Sequence, residues 1–183
     1  MPARWPRLAA ALSAAPPDPC GSGRKRLSPW RVPPISFLAT AFSLAVYFLA
    51  VWRGGAPERV GAAILFAAFM VDELYHALTG PAQFRHFDAV ELAIDGFSLL
   101  AFAWLAVAAN RLWPIVAAAL QLMAVLGHLS TLLGSGMQRA YWAMTEPPVL
   151  LGVVTLAIAL AAHWRRQRRI GPYPDWRPER RPA

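Results

Sequence analysis

Five apolar segments, each long enough to cross a bilayer, contain no Lys or Arg, and four of them carry carboxylates or imidazoles. They run over residues 35–52, 60–78, 87–109, 112–133 and 141–164. A helix needs roughly 17–25 residues to span about 30 Å of hydrocarbon, and every segment falls in that range. Strands are excluded because the runs are too long and do not alternate. The expected fold class is therefore all-α: an integral membrane bundle of five transmembrane helices.

Local signals mark the segment ends. Arg53-Gly54-Gly55 closes the first, Thr79-Gly80-Pro81 the second and Gly134-Ser135-Gly136 the fourth; Gly and Pro stop helices. Asn110 is placed to cap the fourth, with Pro114 in the first turn, where a missing N–H costs little. Trp52, Trp113, Trp142 and Trp164 lie near segment ends, as in an aromatic belt.

Outside the segments the chain is basic. Lys and Arg number 18 against 10 Asp and Glu, an excess that raises the question of nucleic acid. The cations sit in tails flanking apolar runs, and no DNA- or RNA-reading module is present. Such a distribution fits an anionic lipid surface and excludes nucleic acid as partner. Residues 1–34, rich in Arg and Pro, read as a disordered tail. Residues 165–183 read as a basic C-terminal tail solvated at the lipid surface. With Cys20 alone, neither an intramolecular disulfide nor a thiolate metal cluster can form. Five spans put the tails on opposite sides, and the Arg165–Arg169 cluster abutting the last span favours a cytoplasmic C-terminus.

Carboxylates in hydrocarbon cost roughly 2.5–3.5 kcal/mol each even on the lenient insertion scale. Asp72, Glu73, Glu91, Asp95 and Glu146 sit within the segments, so they are expected to face a bundle interior or a watery cavity. Threading gathers them. Asp72, Glu73 and His76 lie late in the second segment, Glu91 and Asp95 early in the third, His128 and Thr131 late in the fourth, and Thr145 and Glu146 early in the fifth. In an antiparallel bundle all these halves share one side of the membrane, within roughly 6–13 Å of one interface at 1.5 Å rise per residue. Spacing around each helix agrees. Asp72 and His76 are four apart, as are Glu91 and Asp95, while Gln121, Ala124, His128 and Thr131 form one stripe. Ser36, Thr40, Ser43 and Tyr47 make a polar stripe on the first segment.

The candidate cation-binding residues are Asp72, His76, Glu91, Asp95, His128 and Glu146. Several close carboxylates cannot all ionise without a compensating cation. The set suits protons, or a divalent metal held by oxygen and imidazole, with Asp72, His76 and His128 as a possible triad. Plainer readings compete. Glu91 lies about one turn from the interface and can pair with Arg85, and the two histidines can be interhelical hydrogen-bond donors. His86 and His163 are interfacial and carry no signal. Glu146-Pro147-Pro148 leaves two structures open. If the helix continues, the carbonyls of Ala143 and Met144 lose their donors and become cation ligands. Otherwise residues 138–146 lie along the interface and the span starts at a proline. No phosphate-cradling Gly loop, dinucleotide fingerprint or nucleophile elbow is present, no catalytic residue is assigned and the cofactor is unknown.

The stretch Asn110-Arg111-Leu112-Trp113-Pro114, with Gln121-Leu122, His128-Leu129 and Ala140-Tyr141-Trp142, resembles small multi-spanning inner-membrane proteins of alphaproteobacteria, a group without an assigned activity. The resemblance covers the last three segments. It implies a bacterial inner-membrane setting and supplies no catalytic residues. Three functions remain open: binding or relaying a proton or divalent cation at the acidic/His cluster; a non-catalytic membrane subunit or scaffold whose polar residues mediate helix packing or partner binding; and a membrane-embedded metal-dependent enzyme.

Overall fold

The structure, a computed structural model, describes residues 34–80, 88–130 and 138–177. The Arg/Pro-rich head, Arg85, His86, Thr131 and Gly134-Ser135-Gly136 lie outside the described residues. Five helices are present among them: α1 (Pro34–Arg53), α2 (Ala56–Thr79), α3 (Ala89–Ala108), α4 (Trp113–Ser130) and α5 (Gln138–Ile170). Four stretches, Ala56–Thr79, Ala89–Ala108, Trp113–Ser130 and Ala140–Ile170, are long and apolar enough to cross a membrane; the apolar part of α1, Phe37–Arg53, is shorter.

The punctuation is set by familiar chemistry. Pro57 opens α2 within its first turn, and Gly80 ends it at φ 99°, a left-handed conformation that glycine adopts without a Cβ penalty. Asp88 caps α3, its Oδ1 accepting from the amides of Val90 (2.8 Å) and Glu91 (3.3 Å), which stabilises a helix start by about 1 kcal/mol. Gly171, at φ 75°, turns the chain back after α5.

Sequence neighbours pack side by side, and α5 closes the ring against α1 while also touching α2. The shared core holds Val46 and Ala50 of α1, Leu65 of α2, Phe102 and Leu105 of α3, Ala117 of α4 and Leu156 of α5. The outer face is apolar too. On α3, Phe97, Leu100, Trp104 and Val107 are all more than half exposed and follow a 3-4-3 spacing that lines one face. Large exposed apolar faces around buried Glu58, Gln121 and His128 invert the usual soluble pattern and match a bundle bathed in lipid.

One open alternative is decided and two expectations need correction. First, residues 138–146 are not a separate interfacial piece: α5 is a single helix of 33 residues with Pro147 and Pro148 inside it. It is about 50 Å long at 1.5 Å per residue, longer than the hydrocarbon core, so its ends project. Second, Asn110 does not cap α4. Its amide donates to the Asp175 carbonyl (3.0 Å), because the chain end returns and Trp176 forms an antiparallel bridge with Ala109. Third, residues 165–177 are not a free tail. Arg165–Ile170 extends α5, and 171–177 straps the bundle end, with Arg177 Nε donating to the Ala109 carbonyl (3.1 Å).

Gly127 lets α4 approach α5: a Cβ there would sit 2.9 Å from Met144 Cβ and 3.0 Å from Thr145 Cγ2. Gly127→Val is expected to force these helices apart and destabilise the protein by about 1–3 kcal/mol. The check is its unfolding free energy in detergent micelles against the parent.

Candidate functional site

A cavity of about 280 Å³ opens among all five helices, and every candidate residue lines it: Asp72, His76, Glu91, Asp95, His128 and Glu146. Antiparallel threading brings the late halves of α2 and α4 beside the early halves of α3 and α5. Ser43 and Tyr47 of α1 and Gln121 of α4 complete the polar wall, and Leu65, Val149 and Val153 the apolar one. Glu73, also inside the second segment, lines the same space.

The polar side chains of the wall form a connected series, joined through the buried Tyr141. His76 Nε2 lies 3.5 Å from Asp72 Oδ1 and 3.3 Å from Glu91 Oε1. The other Glu91 oxygen accepts from Tyr141 Oη at 2.8 Å. Tyr141 Oη also meets His128 Nδ1 at 2.9 Å, and His128 Nε2 meets Asp95 Oδ2 at 3.0 Å. Glu91 is the hub, with one oxygen turned to each imidazole branch. His128 is 2% exposed, so its contacts are shielded from water, whereas Asp72, at 44%, stands at the rim.

Donor counting shows what this wall holds. His76 Nδ1 faces the Gly80 carbonyl at 3.0 Å, a pure acceptor, so Nδ1 carries a proton. Its Nε2 faces two carboxylates, which repel a bare lone pair; a proton must lie on Nε2 or on a carboxyl. The same holds across the ring. Tyr141 has one hydroxyl proton and gives it to Glu91, so His128 Nδ1 donates to the Tyr141 oxygen. His128 Nε2 and Asp95 then share a further proton. These roles follow from the hydrogen-bond network. Two imidazole–carboxylate pairs, each with a proton of its own, are joined through Glu91 and Tyr141.

The proposed triad is less convergent. Among the described residues, the group whose ligand atoms all lie within 4.8 Å of one another is Glu58, His163 and Asp175, not Asp72, His76 and His128. The reason is division of labour: His76 turns to Asp72 and Glu91, while His128 turns to Asp95 and Tyr141. Glu91 pairs with His76 and Tyr141; its expected partner Arg85 lies outside the described residues. Glu146 lines the cavity from an otherwise exposed position one residue before the prolines. Pro147 and Pro148 supply no amide hydrogen, so the helix continues past them without donors for the carbonyls of Ala143 and Met144.

Sequence reasoning missed several participants. Tyr141 links the two branches and Tyr75 Oη donates to Asp88 Oδ2 at 2.7 Å, yet a tyrosine near a membrane interface reads as belt. A second polar cluster lies at the opposite end of the bundle, built from Glu58, Arg111, His163 and Asp175. His163, read as interfacial and signal-free, is 4% exposed there. Glu58 is fully buried, although it precedes the second segment by sequence. The signal available was weak: Glu58 and Arg111 flank consecutive segments on one side of the membrane. Tyr173 stacks under the Arg111 and Arg166 guanidinium groups, each 4.3 Å from its ring centre. Burial pushes its phenol above the ordinary tyrosine value, against the opposing pull of Arg111. No protein-family model, curated protein or solved structure matches this chain.

Tyr141→Phe removes the hydroxyl shared by Glu91 and His128. The expected cost is about 1–3 kcal/mol, because buried polar atoms lose a partner. Reversible unfolding in mixed micelles measures it, and a change below a few tenths of a kcal/mol would contradict the connected arrangement.

Proposed function

We propose that the protein is a five-span membrane protein that binds and relays protons through the intramembrane series Asp72–His76–Glu91–Tyr141–His128–Asp95. The observation that carries this reading is the unbroken run of contacts of 2.8–3.5 Å along the cavity wall. Imidazole and carboxyl groups exchange protons near neutral pH, and chains of intramembrane Asp, Glu and His serve as proton relays. The tyrosine hydroxyl accepts on one side and donates on the other, as a hopping step needs. A proton is favoured over a divalent metal at this place because the ligand atoms are divided between two branches.

The fifth span is α1. Its helix has 20 residues, enough for about 30 Å, and its outward Phe37, Leu38, Phe48 and Trp52 are mostly exposed. With five spans, the Arg-rich end of α5 lies in the cytoplasm and the membrane is the bacterial inner membrane, the setting that the resemblance of the last three spans implies. The scaffold reading draws on the same contacts, because His76–Glu91, His128–Asp95 and Tyr141–Glu91 each join two different helices. Such contacts average only about 0.6 kcal/mol in a membrane protein, little return for burying so many ionisable groups.

The test is proton flux in proteoliposomes that trap a pH-sensitive dye, driven by a potassium diffusion potential. The parent is expected to carry protons, and Asp95→Asn or His76→Gln to slow the flux by roughly 100-fold or more while assembling normally. Parent vesicles no leakier to protons than protein-free ones would overturn the relay, and variants that lose assembly instead would favour the scaffold.

A further inference from the structure

The opposite end of the bundle holds a second arrangement, independent of the proton series. Three elements meet there: Glu58 in the first turn of α2, His163 near the end of α5 and Asp175 on the returning strap. Their ligand atoms lie within 4.8 Å of one another. They close in on the backbone at Gly55. A Cβ added at Gly55 would sit 2.8 Å from Glu58 Oε2, 2.8 Å from Asp175 Oδ1 and 3.0 Å from His163 Cε1. Gly55 has ordinary extended backbone angles, φ −71° and ψ 176°, so conformation does not require glycine here. The missing side chain is what lets the three groups close in beside the backbone at this point.

The oxygen bookkeeping points to an occupant. Asp175 Oδ2 accepts from the Ala56 amide (3.0 Å) and Oδ1 from Arg111 Nη2 (2.6 Å). Glu58 Oε1 accepts from Trp113 Nε1 (3.3 Å) and faces Arg111 Nε at 3.4 Å. Among the described residues Glu58 Oε2 has no partner, in a residue that is 0% exposed. A buried, unpartnered carboxylate oxygen costs several kcal/mol unless a cation or donor meets it. Arg111 offsets one of the two carboxylates and leaves the other unbalanced. His163 completes the set. Its Nδ1 lies 2.8 Å from Tyr173 Oη; with that nitrogen protonated and donating to the tyrosine oxygen, Nε2 presents a lone pair. A ring nitrogen held by an outer hydrogen bond is the usual posture of a metal-ligating histidine.

We propose that Glu58, His163 and Asp175 bind a divalent transition-metal cation of the zinc type, with Arg111 and Tyr173 positioning the ligands. One imidazole and two carboxylates suit zinc, and three protein ligands leave a fourth position open. Access comes from a cavity of about 530 Å³ lined by Gly55, His163, Tyr173 and Asp175. Because Asp175 lies on the strap while Glu58 and His163 belong to the helices, the metal pins the returning chain to the bundle end.

The experiment uses the full-length protein in detergent, stripped with chelator and titrated with Zn²⁺ alone by calorimetry, followed by elemental analysis. The parent is expected to bind one Zn²⁺ per chain. Glu58→Gln and His163→Gln should abolish that binding, and Tyr173→Phe should weaken it roughly 10–100-fold. Gly55→Ala keeps all three ligands but its methyl crowds them apart, and should also lose the ion. If His163→Gln does not fold, Asp175→Asn on the strap replaces it. Cavity variants such as Asp95→Asn should bind Zn²⁺ like the parent, which separates this site from the proton series. Failure of the parent to retain Zn²⁺, equal binding by the parent and the cradle variants, or loss of the ion in Asp95→Asn would each overturn the assignment.

Discussion

A charged or polar group inside an apolar bundle must be met by another, and the bundle is arranged around that requirement. His128 is largely shielded from water, and lipid offers no hydrogen bonds, so the groups have to satisfy one another across helices. Glu91 does most of this joining: it takes His76 from α2 and Tyr141 from α5 on its two oxygens. Asp95, one turn further along α3, takes His128 from α4. Helix α3 thus serves as the acidic post against which α2, α4 and α5 lean.

Packing makes these meetings possible. Gly127 brings α4 and α5 into close contact beside His128 and Tyr141, and α5 closes the ring on α1. The hydrocarbon-facing side of α3 does the opposite work, presenting Phe97, Leu100, Trp104 and Val107 outward. One helix therefore carries apolar contacts on one face and the acid–imidazole series on another, at positions fixed by 3.6 residues per turn. At the other end of the molecule, α5 continues beyond the apolar core far enough for the chain to fold back, and the strap delivers Tyr173 and Asp175 to Arg111 and His163.

Much of the cavity was legible because it obeys two regular rules. Alternating direction places the late half of α2 beside the early half of α3, and i, i+4 spacing puts Asp72 with His76 and Glu91 with Asp95 on shared faces. Tyr141 was not legible, since an interfacial tyrosine carries the same sequence signal whether it meets lipid or a carboxylate. The course through Pro147 and Pro148 was undecidable for a similar reason: proline fits both a helix start and an interior whose lost hydrogen bonds packing can offset. The Glu58, His163 and Asp175 cluster was hidden more deeply. Its members lie 105 and 12 residues apart along the chain (58 to 163, 163 to 175) and outside any helical period that would group them.

Composition, segment length and periodicity by themselves determined an all-helical apolar bundle with its acids on inward faces, because exposing charge to hydrocarbon or leaving backbone groups unpaired there is too costly to permit another design. The tertiary structure alone decided which acid meets which imidazole, that the chain end returns to cover the bundle, and that Glu58, His163 and Asp175 close together beside Gly55. Those choices depend on distances of a few ångströms between segments remote in sequence, set by side-chain packing rather than by any local preference along the chain.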